Sequence, residues 1–147
     1  MLREPACQLA DAFPFLIVSQ ESMDELNRRR PSPIGIERFR PNIVVQDAPE
    51  PHAEDTCRRI RIGTVAFDLV KPCARCAVPT IDPATATRGK EPSRTLATYR
   101  TRNGKIYFGQ NAVHAAPGIL QVGAEVWIEE GTPVHLQRAA LTSSMDA

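Results

Sequence analysis

Residues 58–71 read RRIRIGTVAFDLVK, and the next five read PCARC. Ile60 and Ile62 alternate with arginines, Gly63-Thr64 makes a turn, and Val65, Phe67 and Leu69 alternate on the way back. That is the period-two pattern of a β-hairpin with one buried face. The second strand delivers the chain into Pro72-Cys73-Ala74-Arg75-Cys76. A CxxC pair therefore lies just past a strand end, where sites are commonly built.

Working outward, FPFLIVS (13–19) is apolar and β-branched and predicts a buried strand. Ser22-Met-Asp-Glu25 has the form of a capping box and predicts a short helix through about Arg30. Pro31 and Pro33 stop it, and Arg28–Arg30 suit the negative end of its dipole. Ile43–Val45 predicts a strand entered through Pro41. Residues 47–55 and 79–94 are turn-rich loops, and 93–101 predicts a second short helix with Leu96 and Tyr99 facing in. Residues 106–111 and 118–130 predict closing strands, with Val126 and Ile128 on one face and Trp127 on the other. Residues 131–147 read as a flexible tail. The fold class is mostly β (α+β), a β-rich, barrel-like domain with a few short helices. No long βαβ series points to a dinucleotide-type sheet.

The totals bound the function. A chain of 147 residues suits one domain with a modest core. Lys and Arg number 18 against 17 Asp and Glu, for a net charge of +1, which argues against a broad nucleic-acid surface. Thirteen prolines against eight glycines suit short elements and turns. No apolar run approaches the ~20 residues of a membrane span, and no signal-peptide layout is present. A cytoplasmic location is expected, with no membrane and no nucleic-acid partner. Reduced thiols are then expected of Cys7, Cys57, Cys73 and Cys76.

The thiols of Cys73 and Cys76 admit four readings. Structural zinc wants four ligands, and here one tight pair stands alone, with no ligand spacing among His52, His114 and His135. Thioredoxin-like exchange wants the pair at a helix start, which Pro79 and Pro83 oppose. An inert, partly buried pair is the third reading. The fourth is one thiolate on a soft transition metal, with the cations of Lys71 and Arg75 favouring the thiolate.

Several motifs fall in one order: FRPNIVV (39–45), AED (53–55), IRIG (60–63), KPCARC (71–76), TIDP (80–83), EPSRTLATYR (91–100), YFGQN (107–111) and GILQVG (118–123). Over roughly residues 11–130 the chain resembles a MOSC domain, the molybdenum cofactor sulfurase C-terminal domain. The resemblance is to the branch of the mitochondrial amidoxime-reducing component and bacterial hydroxylaminopurine-reducing relatives.

The resemblance implies a β-barrel-like fold and a molybdenum cofactor (molybdopterin) whose metal is held by Cys76. It implies cofactor contacts from Arg40 and Asn42 of the FRPN motif, and a pocket bordered by Arg75, Gln110 and Asn111. Cys73 would be structural, and Asp55 and Asp82 would order loops. The implied reaction is reduction of N-hydroxylated compounds, with electrons from an external donor protein: a reductase, a ferredoxin-like protein or a haem protein. The alternatives are a non-catalytic cofactor or sulfur carrier, or a remnant without cofactor. No NAD site is expected, since GxGxxG is absent, and no pyridoxal phosphate. In that branch a β-rich N-terminal domain comes first, and its absence from this sequence suggests a separate N-terminal β-barrel chain as partner. Pro79 also departs from the branch's usual threonine.

Overall fold

The structure, a computed structural model, describes residues 14–76, 80–82, 84–131 and 138–141. Cys7, Pro79, Pro83 and His135 lie outside the described residues. Among the described residues eight strands form, β1 (Phe15–Ser19), β2 (Ile43–Gln46), β3 (Cys57–Ile62), β4 (Val65–Ala74), β5 (Thr101–Arg102), β6 (Lys105–His114), β7 (Val126–Gly131) and β8 (Arg138–Leu141). Two α-helices join them, α1 (Gln20–Arg28) and α2 (Ser93–Ala97), with single 3-10 turns at Ile36–Phe39 and Ala53–Thr56. No helix among the described residues is long and apolar enough to cross a membrane.

The strands make one curled, barrel-like sheet in the order β7-β3-β4-β6-β1-β2-β8, with β5 on β6. Every pairing is antiparallel except β1 with β2. The hairpin read from 58–71 is β3–β4, pairing Ile62 with Val65 and Ile60 with Phe67. β8 corrects one expectation. Four residues of the supposed flexible tail pair with β2, from Ile43↔Leu141 to Gln46↔Arg138. Two alanines in Arg138-Ala-Ala-Leu141 carry little strand preference, so the free edge of β2 decides what the local sequence does not.

Phe15–Val18 of β1 is apolar because both faces of the strand are covered. Ile17 packs with Ile43, Ile60, Ile62 and Phe67 on one face. Leu16 and Val18 pack on the other with Met23 and Leu26 of α1, Leu96 of α2, Phe39 and Phe108. The period-two alternation of a strand thus serves two separate cores.

The helix start also differs from the expected capping box. Ser19, not Ser22, is the N-cap, its Oγ accepting from the Ser22 N–H at 3.1 Å. β1 runs straight into α1, so the first unpaired helical N–H groups arise a turn earlier. Ser22 is buried instead and donates to Glu54 Oε1 at 2.9 Å. Glu25 pairs with Arg28 and Arg29 at 2.7 and 2.8 Å.

Glu54 is 1% exposed and also accepts from the Ser19 N–H at 3.1 Å. Burial pushes its carboxyl above the ordinary value of 4.5. The folded chain therefore keeps a proton that the unfolded chain releases, and stability falls as pH rises past that value. Glu54→Gln keeps an acceptor at Oε1 and removes the charge. Its melting temperature relative to the unsubstituted protein should climb as pH rises above that value; a constant difference across those melts would contradict the assignment.

Gly109 sits in β6 at φ +87, where an added Cβ would lie 2.9 Å from both Leu16 Cδ1 and Val18 Cγ2. Gly109→Ala combines left-handed strain with overpacking and should cost about 2–4 kcal/mol, read by urea denaturation.

Candidate functional site

β4 and β6 carry the cysteine pair to its place. Their register shifts between Leu69 and Lys71 and again between Pro72 and Ala74. These bulges admit Pro72 inside a strand and re-aim the side chains after it. Cys73, still in β4, packs half-buried against the Phe39–Phe108 core. Cys76 lies two residues beyond the strand and is exposed.

Arg75 fixes this corner. Its backbone N–H donates to the Ile106 carbonyl at 2.7 Å. Nη1 donates to Cys73 Sγ at 3.1 Å and Nη2 to the Phe39 carbonyl at 3.0 Å. The guanidinium also lies 5.2 Å from the Phe39 ring centroid, within cation–π range. Phe39 in turn stacks on Phe108 with centroids 4.3 Å apart.

Arg40 follows at φ 53, a left-handed backbone, with its side chain exposed. Asn42 does strand work: Oδ1 accepts from the Leu16 N–H at 2.7 Å, and its own N–H donates to the Leu16 carbonyl at 3.0 Å. That starts the parallel β1–β2 ladder. Gln110 and Asn111 are buried. Gln110 Nε2 donates to Asp55 Oδ1 at 2.7 Å, and Arg100 Nη2 donates to Asp55 Oδ2 at 2.7 Å. Asp55 therefore orders its loop, and Asp82 does likewise, accepting from the Ala84 N–H at 2.9 Å.

An open hollow of about 590 Å³ lies beside Cys76, lined by Arg75, Thr80, Arg88, Lys90 and Arg94. Four cations and no carboxylate face it among the described residues. Of the site residues expected from sequence, the structure brings Cys76 and Arg75 together there. Arg40, Asn42, Gln110 and Asn111 are not among its lining residues. Sequence reading missed Arg88, Lys90 and Arg94, which sit in a stretch read as turns. The available signal was three cations in seven residues, 88–94, against one acid, Glu91.

The geometry also sorts the readings of the thiols. No group of three or more His, Cys, Asp or Glu among the described residues could hold a metal by itself. Cys73 lies in a strand and not at a helix start, and the next α-helix among the described residues begins at Ser93, unlike the setting of thioredoxin-like exchange.

A family model described as the MOSC domain matches residues 4–127. The chain belongs to the MOSC domain family. Mitochondrial amidoxime-reducing component 1 of Homo sapiens is 38% identical over 138 residues, covering 86% of this chain and 41% of that protein. Molybdenum cofactor sulfurase of Oryza sativa subsp. japonica is 34% identical over 133 residues, covering 82% of this chain and 16% of that protein. The chain thus spans well under half the length of either. The crystal structure of YiiM from Geobacillus stearothermophilus aligns with a TM-score of 0.45 and 18% identity, over 83% of this chain and 53% of that one.

In this MOSC domain the described thiols differ by environment. Cys57 is buried, and burial pushes its thiol up to about 11. Brief alkylation with iodoacetamide, read by peptide mass spectrometry, should label Cys76 first and Cys73 more slowly. Cys57 should label only on unfolding, since the thiolate is the reactive form. Labelling of Cys57 in the folded protein would contradict the fold.

Proposed function

We propose that this MOSC domain holds a molybdenum pterin cofactor through Cys76 and takes part in reducing N-hydroxylated compounds. The observation that carries this reading is one exposed thiol at the rim of a hollow lined by four cations and no carboxylate. A cofactor bearing a dithiolene and a phosphate is anionic, and a single protein thiolate completes its ligands. The donor set therefore fits the group. When bound, the cofactor supplies two-electron redox chemistry at its metal.

The chain's own residues bind and orient. Cys76 offers its thiolate. Arg94 offsets part of the anion's charge, and Arg75 holds the cysteine loop in register with Phe39. Arg40, exposed in the FRPN turn, would contact the pterin, with Asn42 securing that turn through its bonds to Leu16. Gln110 and Asn111 stiffen the strand beneath. Overall, the N–O bond of the substrate breaks, two electrons and two protons enter, and the amine and water leave. The electrons come from a separate donor protein, a reductase, ferredoxin-like or haem protein. A cytosolic setting suits the free thiols of Cys57, Cys73 and Cys76. A further β-rich domain would close the open side of the hollow against water.

The likeness to molybdenum cofactor sulfurase favours a second reading, a cofactor or sulfur carrier without turnover of its own. One experiment addresses both. Protein purified from a host that makes the cofactor should hold about one molybdenum per chain by mass spectrometry, as expected of a single ligating thiolate. Cys76→Ser should lose it and Cys73→Ser should keep most of it. Equal molybdenum in Cys76→Ser and the unsubstituted protein would sink the assignment. Retained molybdenum without reduction of benzamidoxime or 6-hydroxylaminopurine by an artificial donor would select the carrier.

A further inference from the structure

A second hollow, of about 450 Å³, adjoins the first. The two share Thr80, Arg88, Gly89 and Lys90 as a common wall. The second adds Arg30 and Arg38, with Asp82 and Glu91. Four cations therefore face two carboxylates there, in a chain whose net charge is only +1. The excess is local and not a general basicity.

Both carboxylates are already engaged. Glu91 pairs with Arg30 at 3.0 Å, and Asp82 lies 3.9 Å from Arg38. Arg88 and Lys90 differ: their side chains have no ion pair or hydrogen bond among the described residues. Their backbone is nonetheless well held. Ile81 bridges Arg88, and the Gly89 N–H donates to the Thr80 carbonyl at 2.9 Å. Asp82 N–H donates to the Thr87 carbonyl at 2.9 Å, and Ala86 N–H to the Asp82 carbonyl at 2.7 Å. A small hairpin thus presents two unpaired cations on the wall between a thiol-bearing hollow and a neighbour already rich in guanidinium groups.

We propose that this second hollow is an oxyanion subsite, and that the substrate is a phosphate-bearing N-hydroxylated compound, a nucleotide and not a free base. This rests on the function proposed above. With the N-hydroxylated base in the Cys76 hollow, a phosphate reaches over the shared wall to Arg88 and Lys90. Phosphate suits forked guanidinium donors and a point-charge ammonium together. Arg30 and Arg38 are taken up by Glu91 and Asp82, which leaves two cations for one phosphate, so a mononucleotide fits better than a nucleic-acid strand.

The test is calorimetry with adenosine 5′-monophosphate and adenosine, on the chain purified with and without cofactor. The monophosphate should bind about tenfold or more tightly than adenosine, and more weakly as salt rises. Arg88→Gln with Lys90→Gln should abolish that preference. Lys105→Gln, an exposed cation outside both hollows, should not, with circular dichroism checking that each variant folds. On loaded protein, the ratio of kcat/KM for 6-hydroxylaminopurine riboside 5′-monophosphate to that for the free base should fall in the same double variant. Equal binding of the two probes, or an unchanged double variant, would overturn the subsite. So would loss of monophosphate binding when cofactor is loaded, which would assign the hollow to the cofactor's own phosphate. Tighter binding of a single-stranded oligonucleotide would overturn it as well. Failure to reduce even the free base would instead fall on the proposed function and leave the monophosphate binding standing.

Discussion

The Arg75 guanidinium joins separate parts of the chain at one corner. One nitrogen reaches Cys73, another reaches the Phe39 carbonyl, and the plane lies over the Phe39 ring. The end of β4, the turn leading to Arg40 and the Phe39–Phe108 stack are thereby one unit. Only a planar fork does this. A lysine ammonium at the same place would be a single charge with freely rotating donors, unable to serve a sulfur, a carbonyl and a ring face together. The arrangement has a cost, since Arg75 Nε is buried without a hydrogen-bond partner. Such a cost is tolerated where the other contacts over-determine the geometry.

That joint works because the sheet beneath it is irregular in the right places. A regular β4–β6 ladder would leave no place for Pro72 and would continue the hairpin's alternation through Cys73 to Cys76. Two register shifts break the alternation, and Gly109 lets β6 pass against Leu16 and Val18. One thiol is consequently turned toward a core and the other toward solvent. Burial, more than the CxxC spacing, distinguishes the roles of the two sulfurs.

Much of the fold was legible because its signals are local. The alternation in 58–71 names the hairpin, and the unbroken Phe15–Val18 run names a strand covered on both faces. Val126, Trp127 and Ile128 divide between core and solvent as their alternation implies, with Trp127 exposed at 47%. What was not legible depends on distant partners. Ser22 looks like a cap until Glu54, thirty-two residues on, claims its hydroxyl. Residues 138–141 look like a tail until β2 offers an edge. The site divides in the same way. Cys76 and Arg75 belong to one short motif. Arg88, Lys90 and Arg94 become wall residues only through a hairpin that folds back on Thr80.

The charges of the molecule are sorted by the same logic. The interior suppresses ionisation: burial holds Glu54 toward its neutral acid and lowers His52 to about 4, with the neighbouring Arg100 adding to the effect. Asp55, next to Glu54 in sequence, takes Arg100 and Gln110 as partners. On the surface, Arg61 and Arg59 are matched by Glu129 and Asp68. The near-zero total charge therefore conceals a division. Glu25, Asp68 and Glu129 are spent in pairs over the helix and the hairpin face, while Arg75, Arg88, Lys90 and Arg94 gather at the hollow beside Cys76. Like charges held together on a small wall are unfavourable in the empty protein. An anionic occupant relieves that repulsion, so the same crowding that costs stability becomes binding energy when the ligand arrives.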